Sequence, residues 1–335
     1  MNRMMIPTFM VAAWTVSGPY ASAQIVEENV TFDNGSARLA GTLLLPQDDG
    51  PHPALVFLHG SGPHPREIVR PYAEAFASLG IACLIFDKRG SGESTGNWVS
   101  SSLEDLARDA VAALELVKSR PEVDATRVGL WAPSQGAWVA SLASNFTADI
   151  GFLIVLSGGG VTPLESEIYS YEKDFEAGGV TEAQKEEARK LLSRYFAYLE
   201  TGDGREQLVQ SIDLARDEPW YQFAPLGKIV PSEENRPNWE WVATFDPAPY
   251  ISQMRFPILL LFGDRDREQP TEIAVRKWKK GLEQAGNLEV DIRIFPGANH
   301  WLRVDDPHAA ASHHQGLSDE SLETVSEWLR AHVVR

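Results

Sequence analysis

The feature of this 335-residue sequence that most constrains its fold is an alternation of short apolar runs with amphipathic helical stretches. In the stretch 103–117, for example, apolar side chains recur at helical spacing. The runs at 54–58 and 81–86 have flanking Gly or Pro, as buried parallel strands do. Further strands are predicted at residues 128–131, 152–156, 258–262 and 290–295. The alternation predicts an α/β fold with a mostly parallel central sheet and helices on both faces.

Two segments depart from this alternation. Residues 24–32 and 38–45 alternate apolar and polar side chains around an Asp-Asn-Gly turn, which predicts an N-terminal antiparallel hairpin. Residues 161–246 contain an amphipathic helix whose capping box is formed by Thr181 and Gln184. We predict that this segment is a helical cap over the carboxyl edge of the sheet, inserted between two parts of one core, 24–160 and 247–335.

The stretch 103–117 carries its own start signal. Ser101 is followed three residues later by Glu104, which predicts a capping box at the beginning of this helix.

Residues 1–23 have the pattern of a secretory signal. Arg3 precedes an apolar stretch, and Ala21-Ser22-Ala23 is a small-x-small cleavage site. We expect cleavage after Ala23, a mature end at Gln24, and a secreted or periplasmic protein. The apolar stretch is too short to span a bilayer, so no membrane anchor is expected.

Charge and cysteine content exclude several classes of partner and cofactor. Thirty basic and 47 acidic side chains give a net charge of −17, which argues against nucleic acid as a partner. The single cysteine, Cys83, excludes a multi-thiolate metal site. The metal and nucleotide motifs Cys-x-x-Cys, His-Glu-x-x-His and Gly-x-x-x-x-Gly-Lys are missing, so we expect no metal and no organic cofactor. The oligomeric state is left open.

The most informative segment for chemistry surrounds Ser134. This serine follows a predicted strand and precedes a helix, with the small residues Ala132 and Gly136 two positions away on either side. A strand–turn–helix of this kind lifts a serine hydroxyl to where a base can reach it. Ala132 replaces the first glycine of the usual Gly-x-Ser-x-Gly pattern. In isolation, the segment also fits an ordinary serine N-cap.

A base and an acid follow in the right places. Asp264 and Asp266 come just after the predicted strand 258–262, and His300 comes just after the last one. The carboxyl ends of parallel strands share one edge of the sheet, so Ser134, an aspartate and His300 are expected to meet there. The loop 58–63 follows the first parallel strand and can supply a backbone donor for an oxyanion, and the amide after Ser134 can supply a second.

With these motifs the sequence resembles the α/β-hydrolase superfamily over residues 54–329. It is most similar to secreted bacterial esterases related to the prolyl-oligopeptidase hydrolase domain. The resemblance rests on four motifs in order: His59-Gly60-Ser61-Gly62, the 87–94 loop Asp-Lys-Arg-Gly-Ser-Gly-Glu-Ser, Ala132-Pro133-Ser134-Gln135-Gly136, and Gly263-Asp264-Arg265-Asp266 with His300.

The resemblance implies a serine hydrolase that cleaves small carboxylic esters through an acyl-enzyme intermediate. In this family pattern Asp266, rather than Asp264, is the acid, and the amides of Ser61 and Gln135 form the oxyanion site. The 87–94 loop is expected to be mostly structural, with Arg89 bracing the turn.

Three side chains near these motifs are predicted to contact substrate, namely Trp138, Trp301 and His64. The cap aromatics either hold the cap on the core or line an apolar pocket; they are Trp220, Tyr221, Trp239 and Trp241.

Two alternatives to an esterase stay open. An aminopeptidase would need carboxylates in the cap to hold the substrate amine, for which the candidates are Glu165, Glu167, Glu172 and Asp174. A non-catalytic binding protein of the same fold is the other alternative. Such proteins commonly lose a member of the Ser-Asp-His set, whereas all three candidates are present here.

Overall fold

The computed structural model describes residues 25–224, 226, 230–304 and 317–334. Its strands are β1 (Ile25–Asn34), β2 (Ala37–Pro46), β3 (His52–Phe57), β4 (Ala82–Phe86), β5 (Val123–Pro133), β6 (Phe152–Leu156), β7 (Ile258–Gly263) and β8 (Val290–Phe295). Its helices are α1 (Arg70–Ala77), α2 (Leu103–Lys118), α3 (Gln135–Ala143), α4 (Pro163–Ala177), α5 (Glu182–Thr201), α6 (Arg205–Ala215), α7 (Trp241–Thr244), α8 (Ala248–Ile251), α9 (Thr271–Ala285) and α10 (Asp319–His332). The predicted signal segment 1–23 and its expected mature end at Gln24 lie outside the described residues.

The eight strands form one mixed sheet in the order β1-β2-β4-β3-β5-β6-β7-β8. The pairs β1–β2 and β2–β4 are antiparallel, and every pair from β4 through β8 is parallel. This confirms the predicted fold class, including the N-terminal hairpin. Its loop is one residue further on than expected, because Asn34 pairs with Ala37 and leaves Gly35 and Ser36 to make the turn.

Helices cover both faces of the sheet because its strands are apolar on both sides. In β3, Val56 faces the cluster formed with α2, α3 and α9, whereas Leu55 faces the cluster formed with α1 and α10. Both side chains are fully buried. The two clusters together fix the sheet as a rigid platform.

The start of α2 corrects one sequence-based expectation. The N-cap is Ser102, which forms the capping box with Asp105, and not Ser101 with Glu104. The hydroxyl of Ser101 instead donates to the carbonyl oxygen of Asn97 at 2.7 Å.

The segment 161–246 between β6 and β7, called the cap below, contains α4–α7, which pack around a hydrophobic cluster that includes Phe175, Leu192 and Trp220. The capping box of Thr181 and Gln184 is present at the start of α5. Trp241 packs against both this cluster and the core of the sheet. The division of the chain into a core and a cap at 161–246 stays a prediction.

The loops after β3, β5, β7 and β8 all leave the carboxyl edge of the parallel sheet, and they contain the predicted site residues. None of the helices in the described parts of the chain has the length and apolarity needed to cross a bilayer.

Candidate active site

Ser134 occupies a strained turn between β5 and α3. Its φ of 50° and ψ of −119° lie in a region that side chains rarely adopt. Although Ser134 stands at the N-cap position of α3, its side chain makes no capping hydrogen bond. The geometry therefore disfavours the N-cap reading and leaves the hydroxyl free for other chemistry.

Close packing behind the turn explains the small residues around it. A Cβ added at Gly136 would lie 3.1 Å from the carbonyl oxygen of His59, and one added at Gly158 would collide with the carbonyl oxygen of Ser134. A side chain at Gly158 would therefore force the turn to move, whereas one at Gly136 would need only a small shift of its neighbour.

The loop after β7 presents Asp266 to His300. One carboxylate oxygen of Asp266 accepts hydrogen bonds from the backbone amides of Glu268 and Gln269, at 2.7 and 2.9 Å. The other lies 2.8 Å from Nδ1 of His300. Asp264 points elsewhere, because its carboxylate accepts from the amide of Gly297. The structure therefore brings Asp266, and not Asp264, to the imidazole.

The imidazole of His300 is buried between two carboxylates. Its Nε2 lies 3.4 Å from a carboxylate oxygen of Glu268, on the side opposite to Asp266. Burial is the largest single influence and lowers the pKa, but the hydrogen bond and charge of Asp266, with the charge of Glu268, outweigh it. The pKa of His300 is therefore raised above its ordinary value.

Helix α4 of the cap holds the loop after β7 in place; this loop carries Asp266 and is called the acid loop. The hydroxyl of Tyr169 donates to the carbonyl oxygen of Asp266 at 3.0 Å, and that of Ser166 donates to the carbonyl oxygen of Glu268 at 2.8 Å. Helix α4 thus fixes the orientation of the loop after β7.

The loop after β3 is braced by two histidines. Nε2 of His59 lies 2.7 Å from the carbonyl oxygen of Phe86, and burial, with the charge of Lys88, lowers the pKa of His59 to about 3. Nε2 of His64 lies 2.8 Å from the carbonyl oxygen of Ser61, and burial lowers its pKa as well. His64 therefore contacts the loop itself, and its predicted contact with substrate stays a prediction.

Lys88, in the 87–94 loop, joins the loop after β3 to α3. Its Nζ donates to the carbonyl oxygen of Gly60 at 2.7 Å and to the side-chain oxygen of Gln135 at 2.8 Å. The neighbouring Arg89 pairs with the buried carboxylate of Asp109, with both bonds at 2.6 Å. Arg89 braces the loop in the way expected from the sequence.

Two cavities are lined by Ser134, and a third adjoins one of them at Ser61 and Glu167. A polar cavity of about 340 Å³ is lined by Ser134, His300, Ser61, Trp138, Glu167 and Glu268, among others. An aromatic cavity of about 210 Å³ lies between the core and the cap, with Lys88, Gln135, Trp98, Tyr195, Trp239 and Trp241 in its wall. A small apolar pocket of about 60 Å³ is lined by Ser134, His300, Tyr72 and Trp301. Ser61 and Glu167 belong to both larger cavities, which places them where the two adjoin.

The two tryptophans that were predicted to contact substrate line different cavities: Trp138 lines the polar cavity, and Trp301 lines the small apolar pocket. Trp138 is buried on α3, and its indole N–H donates to the carbonyl oxygen of Val161 at 2.9 Å. Trp301 follows His300 directly, and 46% of its surface is exposed. Among the cap aromatics, Trp239 and Trp241 face the aromatic cavity, whereas Trp220 is buried within the cap cluster.

Of the four candidate carboxylates in the cap, three are already paired with cations of the protein. Glu165 pairs with Lys277, Glu172 with Arg189, and Asp174 with Arg267. Glu167 has no ion pair among the described residues and lines the cavities. The side chain of Glu167 is exposed to the cavity, yet the protein atoms packed around it, with the charge of Glu268, raise its pKa.

Sequence reasoning missed Glu268 and Lys88. The only sequence signal for Glu268 is its place two residues after Asp266 in the same loop. Lys88 lies within a motif that was expected to be structural, and its contact with residue 135 depends on the fold. In the described ranges, no group of three or more His, Cys, Asp or Glu side chains is arranged to hold a metal ion.

Comparisons with known proteins agree with this architecture. Esterase EstD of Thermotoga maritima is 27% identical over 291 residues, which are 84% of this chain and 62% of EstD, so the chain spans less than two thirds of that relative. The structure of the esterase Pf2001 of Pyrococcus furiosus has a TM-score of 0.59 at 18% identity and covers 99% of both chains. The acylaminoacyl peptidase of Pyrococcus horikoshii has a TM-score of 0.58 at 16% identity, over 93% of this chain and 42% of the peptidase.

At such low identities the solved structures show the fold alone. The model of the alpha/beta hydrolase family matches residues 55–313, which include the turn at Ser134, the acid loop and His300. This chain, with its eight-stranded mixed sheet, is a member of the α/β-hydrolase family.

Proposed function

We propose that the protein is a serine hydrolase that cleaves carboxylic esters through an acyl-enzyme intermediate. The observation that carries the proposal is that Ser134, on a strained turn, and His300, already paired with Asp266, line the same polar cavity. The esterase homologue EstD supports the same class of reaction.

In the proposed mechanism, the Asp266 carboxylate accepts a hydrogen bond from Nδ1–H of His300 and so fixes the tautomer whose Nε2 carries a lone pair. Nε2 takes the proton of Ser134 as its oxygen attacks the ester carbonyl. The imidazolium then gives this proton to the leaving alcohol, and water attacks the acyl-enzyme by the reverse sequence.

The negative oxygen of the tetrahedral intermediate requires backbone donors. We assign this role to the amides of Ser61, in the loop after β3, and Gln135, the first residue of α3. A substrate bound at Ser134 can extend one substituent past Ser61 into the aromatic cavity, because Ser61 lines both cavities. We therefore expect esters with aryl or other bulky apolar groups to be accepted.

The charge of the cap favours ester substrates over substrates with a free amine. Three of the four candidate amine-binding carboxylates are neutralised by Lys or Arg. The fourth, Glu167, lines the polar cavity without an ion pair among the described residues, and the surrounding protein, with the charge of Glu268, raises its pKa. The cap therefore offers only one of the four candidate carboxylates to a substrate amine.

A fluorophosphonate probe followed by mass spectrometry tests the nucleophile. We expect an adduct on Ser134, and we expect Ser134→Ala to lower kcat by about 10⁴- to 10⁶-fold. The absence of an adduct, under conditions that label a control hydrolase, would favour a non-catalytic binding protein.

The type of substrate is tested by comparing short p-nitrophenyl esters with aminoacyl anilides. We expect turnover of the esters. Turnover of the anilides alone would make the protein an aminopeptidase on the same residues.

We also propose that the protein is exported, because residues 1–23 have the pattern of a cleavable signal. N-terminal sequencing of protein recovered outside the cytoplasm should begin at Gln24. An intact Met1 on that material would contradict the proposal.

A further inference from the structure

We propose that Lys88 is a positioning residue that aims both backbone donors of the oxyanion site. This inference rests on the proposed function, since it concerns the amides of Ser61 and Gln135. The observation behind it is that a single buried ammonium group is bonded on one side to the loop that carries Ser61 and on the other to Gln135.

The first bond acts through a peptide plane. The carbonyl oxygen of Gly60 and the N–H of Ser61 belong to the same planar trans peptide, in which they point in opposite directions. When Nζ of Lys88 holds the oxygen at 2.7 Å, it therefore sets the direction of the N–H on the other side. A hydrogen bond to the carbonyl also polarises the peptide and strengthens its N–H as a donor.

The second bond ties the same ammonium group to α3. The side-chain oxygen of Gln135 accepts from Lys88 at 2.8 Å, while the backbone amide of Gln135 stands at the free N-terminus of the helix. Lys88 thus fixes the loop after β3 relative to α3. The distance between the two donors depends on this link, because they belong to different elements.

The burial of Lys88 indicates a specific role. Only 3% of its surface is exposed, and it forms no ion pair among the described residues, although the charge of Asp109 acts on it from α2. A buried ammonium group without an ion pair costs stability. Burial lowers the pKa of Lys88 to about 7, but a neutral amine still has two N–H groups, which suffice for the two acceptors.

The test is Lys88→Met, which keeps the length and volume of the side chain and removes its donors. We expect kcat for a p-nitrophenyl ester to fall about 10- to 100-fold, less than the roughly 10²- to 10³-fold loss when an oxyanion donor is deleted, because both amides remain present. We expect KM to change by less than about twofold, because the affected interaction forms in the transition state. The melting temperature should change little, because the removal of a buried ammonium group offsets the cost of leaving the oxygens of Gly60 and Gln135 without a donor.

Lys118→Met is the matched control. Lys118 is the last residue of α2 and lies at the end of the helix that is remote from the carboxyl edge of the sheet. Its side chain pairs with Asp149. We expect this variant to keep the kcat of the parent protein.

Three results for Lys88→Met would overturn the proposal. The first is an unchanged kcat, and the second is a rise in KM alone, which would make Lys88 a substrate contact. The third is a loss of activity that is fully explained by a loss of folded protein. A second readout does not depend on activity. In amide NMR spectra, Lys88→Met should shift the resonances of Ser61 and Gln135, and unchanged resonances would also overturn the proposal. If the parent protein neither hydrolyses esters nor binds the fluorophosphonate, the proposed function fails, while the NMR comparison still decides whether Lys88 positions the two amides.

Discussion

Among single residues, His300 shows most directly how its surroundings tune its chemistry. Asp266 lies at Nδ1, where it supports the tautomer needed for a base, and Glu268 lies at Nε2, where a proton is to be accepted. Both carboxylates favour the charged imidazolium and counteract the effect of burial on the pKa. Glu268 is therefore a group that sets the working pH.

This leads to a prediction for Glu268→Gln. A general base must be neutral, so kcat/KM rises with pH through the pKa of His300. Removing the Glu268 charge lowers this pKa, so the rising limb of the pH profile of kcat/KM should move to lower pH. We expect a shift of about 0.7 pH unit, because an exposed carboxylate 3.4 Å from Nε2 is worth about 1 kcal/mol.

Glu28→Gln is the control for this measurement, since Glu28 lies on β1, at the opposite edge of the sheet from β8. Its profile should match that of the parent protein. An unshifted or upward-shifted limb in Glu268→Gln would contradict the prediction. Added salt should reduce the shift, because the Glu268 side chain is 56% exposed.

At the scale of elements, the turn at Ser134 depends on the loop after β6. Gly158 lies directly behind Ser134, and an added Cβ would collide with the Ser134 carbonyl oxygen and lie 2.9 Å from Cβ of Ala137. Because these are backbone and helix atoms, relief requires the turn or α3 to move. Gly158→Ala should destabilise the protein by about 1–3 kcal/mol, the usual cost of overpacking, and should lower kcat in the folded fraction.

Gly286→Ala provides the comparison. Gly286 has a φ of 69° but open space where a Cβ would lie, so alanine strains the backbone there without a collision. We expect a destabilisation of about 1 kcal/mol and an unchanged kcat. Thermal unfolding and active-site titration of both variants separate the two effects, and equal kcat losses would refute the role given to Gly158.

The elements also show where sequence patterns are sufficient. The strands β6 and β8 have the predicted bounds, because a short apolar run in β6 and an alternating one in β8, each between turn residues, leave little choice. The start of α2 was predicted one residue early because Ser101-x-x-Glu104 and Ser102-x-x-Asp105 are the same pattern in adjacent registers. Asn97 decides between them, since its carbonyl oxygen binds the hydroxyl of Ser101.

At the scale of the whole molecule, the attachment of the cap shapes the aromatic cavity. The indole N–H of Trp239 donates to the carbonyl oxygen of Val99 at 2.6 Å, which links the segment before α7 to the core. The same ring lines the cavity beside Trp241. The structure thus combines two roles that the sequence left as alternatives, since Trp239 both attaches the cap and lines a cavity.

The variant Trp239→Phe tests whether the hydrogen bond to Val99 shapes the aromatic cavity, because the variant keeps the aromatic packing. Phenylalanine keeps an aromatic wall but removes a hydrogen bond worth about 1 kcal/mol, so we expect KM for esters with aryl acyl groups to rise about fivefold. KM for the acetate ester should change little, because a methyl group does not reach the cavity.

Trp220→Phe is the matched control within the cap. The indole nitrogen of Trp220 is buried and has no hydrogen-bond partner in the part of the chain that the structure describes. Its replacement should leave both KM values unchanged. An equal rise for acetate and aryl esters in Trp239→Phe would show that the bond does not act through the aromatic cavity.

The sequence by itself determined the α/β class, the hairpin, and the placement of Ser134, Asp266 and His300 just after strands. These features follow from local apolar patterns and from the rule that parallel strands share a carboxyl edge. The family pattern favours Asp266 over Asp264, and the structure pairs Asp266 with His300. The carboxylate of Glu268 at Nε2 and the bonds of Lys88 to Gly60 and Gln135 were decided only by the tertiary structure. Each of them joins groups from different segments of the chain, and their directions depend on backbone hydrogen bonds and neighbouring atoms that no local pattern records.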